Sequence, residues 1–292
     1  MLADILITGL PAGCLYALVA VSFNILYRPT NVFNFAQGDL VMLGAMVFVT
    51  LQAKASLPWQ LALLLGVVCV GLVAVVIERV GVAPLLRRSS HGHGWIITTL
   101  AFSMIIVNAA GKLWGADPLP VAAPFGLSTE PIEVAGQQVA SYQIALVVFT
   151  LVLIAGIEAL YQTRMGRAVI GVAENRDAAL LRGINPATLS IWSFALGGAF
   201  AGLVGYLASP ILFASTSLGA GLLLKGFAAA ALGGLGSNRG ALLAGLLIGI
   251  TESTSAAFLP SGYQNAVILA VVLSVLLVRP QGIFGSVNAR AV

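Results

Sequence analysis

The chain has 292 residues, 59% of them hydrophobic and 8% charged, with a net charge of +4. Soluble domains run at about 45 to 50% apolar and about 25% charged, so this composition excludes a soluble globular domain. The apolar residues form continuous runs near the ~20 residues that a spanning helix needs, which excludes the alternating segments of a membrane β-barrel.

The spans expected in chain order are 5–27, 38–54, 58–78, 95–115, 141–161, 187–208, 222–237, 240–258 and 265–278. The opening MLADILITGL lacks the basic stretch of a cleaved leader, so the first run is read as an uncleaved span. Between the first two spans, RPTNVFNFAQGD (28–39) is too polar to face lipid. It is either a cytoplasmic turn or an interrupted helix buried among neighbours. The expected fold is an all-α, polytopic transmembrane helical bundle of about 8–10 spans, organised as a single domain over 1–292.

If odd-numbered spans run inward, Arg28, Arg79, Arg87, Arg88, Arg164, Arg167, Arg176, Arg182, Arg239, Arg279 and Arg290 face the cytoplasm, while Lys54 and Lys112 face outward. The N-terminus is then outside and the C-terminus cytoplasmic. The stretch 116–140 carries Asp117, Glu130 and Glu133 but no Lys or Arg, and reads as an extracytoplasmic loop.

The cytoplasmic segment 164–186 concentrates charge in GRAVIGVAENRDAALLRGIN, 166–185. Asn175 is placed to cap a short helix, with Asp177 in its first turn, Arg182 in its last, Gly183 at its stop and Pro186 beyond. Ala178, Ala179, Leu181 and Ile184 give it an apolar side. A solvated connector would need no such caps, so the segment reads as a defined surface helix with charges free to meet a partner.

Asp39 and Glu252 are the acids nearest span interiors, where an ionisable group is by default a functional hypothesis. Glu252 stands in TESTS (251–255) beside Ser253, and either lines or gates a path or makes a structural hydrogen bond. Asp39 either serves a path or caps the helix beginning near Leu40. Glu78 and Arg79 are read as span-end anchors, and Lys225 as snorkelling to the outer interface. Gly198, Gly202, Gly236, Gly240, Gly245 and Gly249 are candidates for close helix crossings, with small residues four apart at 236/240 and 245/249.

Cys14 and Cys69 read as small core residues, and His91 and His93 as a solvated turn, so no metal site is expected. The chain has no phosphate-binding loop and no nucleophile–base set, so no catalytic residue is expected.

With NFAQGDLVMLGA (34–45), RMGRAVIGVAENRDAALLRGIN (164–185), AALGGLGSNRGALLAGLLIGITE (230–252) and VRPQGIFG (278–285), the chain resembles the permease subunits of ABC importers for branched-chain amino acids. The likeness covers nearly the whole chain and is to the smaller of that system's two paralogous permeases. It implies that 166–185 is the coupling segment that docks on an ATPase. Gly166, Arg167, Ala168, Glu174, Asn175, Ala178, Ala179, Gly183, Ile184 and Asn185 match the pattern, and Arg182 belongs to the same charged segment. Arg176 and Asp177 stand where members vary.

The resemblance also implies a paralogous permease partner in a heterodimer, two cytoplasmic ABC ATPase subunits, an extracytoplasmic substrate-binding protein and a bacterial inner membrane. It implies no cofactor on this chain, with ATP and Mg in the ATPase subunits. The implied cargo is leucine, isoleucine or valine, or a related urea, short amide or aromatic acid. Many members have His where Gln37 stands and Glu where Asp39 stands, so a protonation role at 37 is not expected here. Gln37 still donates and accepts hydrogen bonds. Asn34, Gln37, Asp39, Glu252 and Ser253 are the pathway or gating candidates. The alternative is an ion-gradient-driven secondary transporter, marked by a paired intramembrane acid and base or by an acid on a broken helix. Asp39, beside 28–38, is its sequence support.

Overall fold

A computed structural model describes residues 2–88, 94–134 and 137–285; His91, His93 and Arg290 lie outside the described residues. In lipid every backbone N–H and C=O must be paired internally, and a helix does this within one segment. Each expected span is accordingly a helix: α1 Leu2–Thr30, α2 Gln37–Val49, α3 Trp59–Val76, α5 Gly94–Trp114, α6 Ser141–Gln162, α9 Pro186–Leu212, α10 Leu218–Gly233, α11 Asn238–Phe258 and α12 Gln264–Val278. Short helices α4 Ala83–Arg88, α7 Arg164–Glu174 and α8 Arg176–Leu181 complete the set, and wide π-helical turns extend α2 over Thr50–Lys54 and α3 over Ile77–Val82. Among the described residues six helices are long and apolar enough to cross a membrane, namely α1, α3 as continued to Leu85, α5, α6, α9 and α11, whereas α2, α10 and α12 are shorter apolar helices.

The stretch 116–140 contains an element its composition did not suggest. Strands β1 Pro131–Val134 and β2 Gln137–Ala140 pair antiparallel, Pro131 opposite Ala140.

The chain divides into two compact units, one of Met1–Asn24, Leu127–Ile157 and Leu224–Val292, the other of Ile25–Gly126 and Glu158–Leu223. In the first, α1 crosses α11 at glycine. A Cβ on Gly13 would lie 2.8 Å from both Gly245 O and Leu246 Cα, and one on Gly249 would strike the Gly13 backbone. Such contact gives the van der Waals packing that replaces hydrophobic drive between helices in lipid. Gly240 packs on Gly233, while Gly236 lies in the turn before α11 at φ 82° and donates its N–H to Asn24 Oδ1 at 2.9 Å. The segment VRPQGIFG folds back onto this turn. Ile283 N–H donates to Leu232 O at 2.8 Å and Phe284 N–H to Gly233 O at 3.1 Å, satisfying two carbonyls at the end of α10. Two sequence motifs are thus one physical lock.

In the second unit α9 is the central helix. A Cβ on Gly44 of α2 would lie 2.5 Å from Gly202 Cα, Gly205 abuts Val41 O, and Gly198 abuts Ala74 of α3.

The polar stretch after α1 is a break in the helix that buries Val32, Asn34 and Ala36 and leaves Asn31 exposed. Asn31 takes φ 54° and donates its N–H to Tyr27 O at 2.7 Å, a left-handed stop for the helix. Residues 31–36 follow outside any helix, and Gln37 resumes it.

Candidate functional site

Three groups of the expected residues acquire a place. The first is the charged segment. Thr163 caps α7, accepting from Gly166 N at 3.2 Å; Asn175 caps α8, accepting from Ala178 N at 2.9 Å; Asn185 caps α9, accepting from Ala187 N at 3.0 Å, with Pro186 in the first turn. Gly183 takes φ 78°, a backbone that ends α8 without a Cβ penalty. The helix foreseen from its caps therefore exists, preceded by a second one, α7, that the sequence reading did not separate.

Val172, Ala179 and Leu189 form a small buried cluster with Ala168, Val169 and Ile184 packed on it, which seats α7 and α8 on the start of α9. Gly166 is buried against the backbone of Leu160 and Tyr161. Arg167, Glu174, Arg176, Asp177, Ala178, Arg182 and Asn185 remain exposed. Half of the expected apolar side does not pack inward: Ala178 is exposed and Leu181 is 90% exposed, with Leu180 exposed beside it. The outward face of α8 is thus both apolar and charged.

The second group is the break. Asn34 Oδ1 accepts from Ala36 N at 3.1 Å, Asn34 Nδ2 donates to Gln37 Oε1 at 3.1 Å, and Gln37 Nε2 donates to the Gly197 carbonyl of α9 at 3.0 Å. Both amides are fully buried. Asp39 lies nearby but does not cap α2, which begins at Gln37 without a side-chain cap. Its carboxylate is buried in the first turn, where a Cβ on Gly219 would lie 3.0 Å from Oδ1. Glu78 also departs from expectation: it is 2% exposed on the π-helical turn after α3 and accepts from Ser190 Oγ of α9 at 2.9 Å, whereas Arg79 is exposed.

The third group lies in the other unit. Lys225 of α10 does not snorkel outward; its ammonium pairs with Glu252 Oε1 of α11 and donates to Tyr16 OH of α1 at 3.1 Å. The Tyr16 hydroxyl donates in turn to Glu252 Oε2. The Lys225 and Glu252 side chains are each 18% exposed. Beside them a cavity of about 590 Å³ is lined by Glu252, Ser253, Thr8, Asp4 and Gln264 among apolar neighbours, and the hydroxyls of Thr8 and Ser253 bond each other. Sequence reasoning found Glu252 and Ser253 but missed Tyr16, Thr8 and the role of Lys225. The available signal was a lysine inside an apolar run, 27 positions before an intramembrane glutamate.

Among the described residues no group of His, Cys, Asp or Glu is arranged to hold a metal ion. What the geometry offers is a capped surface helix with an exposed face of apolar and charged side chains, a sealed amide network and a half-open ionic cluster beside a cavity.

Comparison with known proteins shows the family. The chain is 29% identical over 293 residues to the high-affinity branched-chain amino acid transport system permease protein BraD of Pseudomonas aeruginosa, covering 96% of this chain and 94% of that protein. It is 30% identical over 299 residues to the permease protein LivH of Escherichia coli, covering 95% and 93%. It is 30% identical over 285 residues to a probable branched-chain amino acid transport permease protein LivH of Methanocaldococcus jannaschii, covering 93% and 89%. Residues 5–276 match the family described as branched-chain amino acid transport system, permease component, and the chain belongs to that family.

Proposed function

We propose that this permease component moves branched-chain aliphatic amino acids into the cytoplasm as one half of an ABC importer, with 1–292 working as a single permease domain. A paralogous permease supplies the other half of the path, an extracytoplasmic protein delivers cargo, and two cytoplasmic ATPases drive the cycle. The chain itself performs no catalysis and holds no cofactor; ATP and Mg belong to the ATPases. It lies in a bacterial inner membrane with its N-terminus outside and its C-terminus in the cytoplasm.

The observation that carries the reading is α8. It is capped at its N-terminus, stopped by Gly183 and seated inward through Ala179, yet leaves Leu181 90% exposed next to Arg176 and Arg182. An isolated helix of this length is not stable in water; one held by caps and packing, with a large apolar side chain outward, suits docking into a groove. ATP-driven closure of the ATPases would displace α7 and α8 as one seated piece, a shift of packed helices.

Affinity purification from native membranes tests this. Two ATPases and a second permease should accompany the parent, and the ATPases should be lost from Arg176→Glu/Arg182→Glu. A parent that purifies alone and transports without ATP would sink the reading.

The gradient-driven alternative gains one observation, since the Lys225–Glu252 pair is the intramembrane acid and base it requires. It ranks second because such a pair is also a neutral means of placing two charges within spans. Uptake by the chain alone in vesicles, driven by a proton or sodium gradient, would bring it forward.

A further inference from the structure

We propose that the cavity beside Glu252 is a binding site for the zwitterionic end of an aliphatic amino acid, in which Glu252 takes the ammonium group and Lys225 occupies that position when no cargo is there. This rests on the amino-acid reading above and adds a site to it.

Glu252 belongs both to the ionic cluster and to the cavity wall, whereas Lys225 and Tyr16 hold it from outside the lining. A carboxylate offers about four acceptor positions. Lys225 engages Oε1 and Tyr16 engages Oε2, so a donor from the cavity first meets the remaining acceptor positions of the carboxylate and takes over Oε1 as Lys225 withdraws. The lining has no Lys or Arg, which disfavours a purely anionic ligand. Gln264 can donate to a ligand carboxylate, Ser253 can do so by giving up its bond to Thr8, Asp4 adds a second carboxylate that favours a cationic end, and Ile5, Ala12 and Ala256 give an aliphatic wall. The volume, about 590 Å³, falls among small-molecule sites.

The ammonium of an amino acid is chemically the head group of Lys225. Exchanging one for the other keeps Glu252 paired, and the displaced Lys225 ammonium, 18% exposed, keeps its bond to the Tyr16 hydroxyl and turns its remaining donors to water. Cargo would thereby release α10 from α11 at this point, and Tyr16 would keep the carboxylate in place through its own hydrogen bond.

The test is saturation-transfer difference NMR on the purified full chain in lipid nanodiscs, with L-leucine, 3-methylbutylamine and 4-methylpentanoate as separate probes. Leucine and the amine should give signals that fall roughly fivefold or more in Glu252→Gln, and the acid should give none. Glu252→Asp, which keeps the charge, should retain most of the signal and separates loss of charge from loss of folding. Lys225→Met should bind the amine several-fold more tightly, which a purely structural ion pair would not produce. The site is overturned by undiminished leucine binding in Glu252→Gln, by binding of the acid in preference to the amine, by weaker amine binding in Lys225→Met, or by no signal from any probe. Uptake by the assembled importer is measured separately. Failure to carry any branched-chain amino acid would overturn the assignment of cargo, while the amine and acid probes still decide the site.

Discussion

In one unit, Asn34 and Gln37 pass a neutral chain of hydrogen bonds to the Gly197 carbonyl with no exposure at either amide. In the other, Lys225, Glu252 and Tyr16 form an ionic cluster whose charged side chains are 18% exposed beside a cavity. Both groups place polar atoms within apolar helices, where a lost partner is costly. The sealed network has no room for a substitute when a donor is lost. The half-open cluster can accept water or a ligand in place of one of its own side chains, which is what a working site requires.

The largest expected effect breaks the seal through the backbone. Gly205 of α9 abuts Val41 O of α2, and a Cβ there would also come within 2.9 Å of Ala45 N. Gly205→Leu must force the two helices apart and with them the Gln37 bond to Gly197. Overpacking usually costs about 1–3 kcal/mol and more where backbone must move. Little folded protein is expected, read as loss of the monodisperse peak in detergent; normal yield and melting would mean that α2 and α9 are not locked as described.

Next comes the seal itself. Gln37→Leu removes the side chain that joins Asn34 to Gly197 and leaves the buried Asn34 amide donor without its acceptor, while the Gly197 carbonyl keeps only its helical bond. A stranded buried polar group costs about 1–3 kcal/mol. Denaturation of the purified chain should show that loss while leucine binding in the other unit is retained. A variant as stable as the parent would remove the distinction between the clusters.

The sequence made the helices legible because spanning segments are defined by length and apolarity, and α8 legible because Asn175 and Gly183 act locally on the backbone. It did not reveal that Gln37 meets Gly197, 160 positions away, or that Lys225 meets Glu252 and Tyr16. Those partners are set by how helices cross and rotate, which no local pattern encodes. A long basic side chain in an apolar run usually snorkels, which is why the sequence points Lys225 to the interface; a nearby carboxylate on α11 is the stronger attraction here. Leu181 was misplaced for a related reason. With helical spacing alone, its two-turn segment has several apolar residues and no unique inward side, and it is packing of Ala179 on Val172 and Leu189 that chooses one.

The smallest effect is the most direct comparison, because the same atom is removed in both units. Ser190 donates to the buried carboxylate of Glu78 at 2.9 Å, whereas Ser253 shares a hydroxyl contact with Thr8 on the wall of the cavity. Ser190→Ala withdraws a donor from a buried charged acceptor and should cost about 1–3 kcal/mol. Ser253→Ala should change stability by no more than about 0.5 kcal/mol, the range of substitutions outside sealed networks, because water in the cavity can take the vacated position. Unfolding curves of the two variants under identical conditions measure the gap. Equal losses would mean that the cavity wall is as closed to solvent as the interior of the other unit, and the division between a structural and a working cluster would have to be given up.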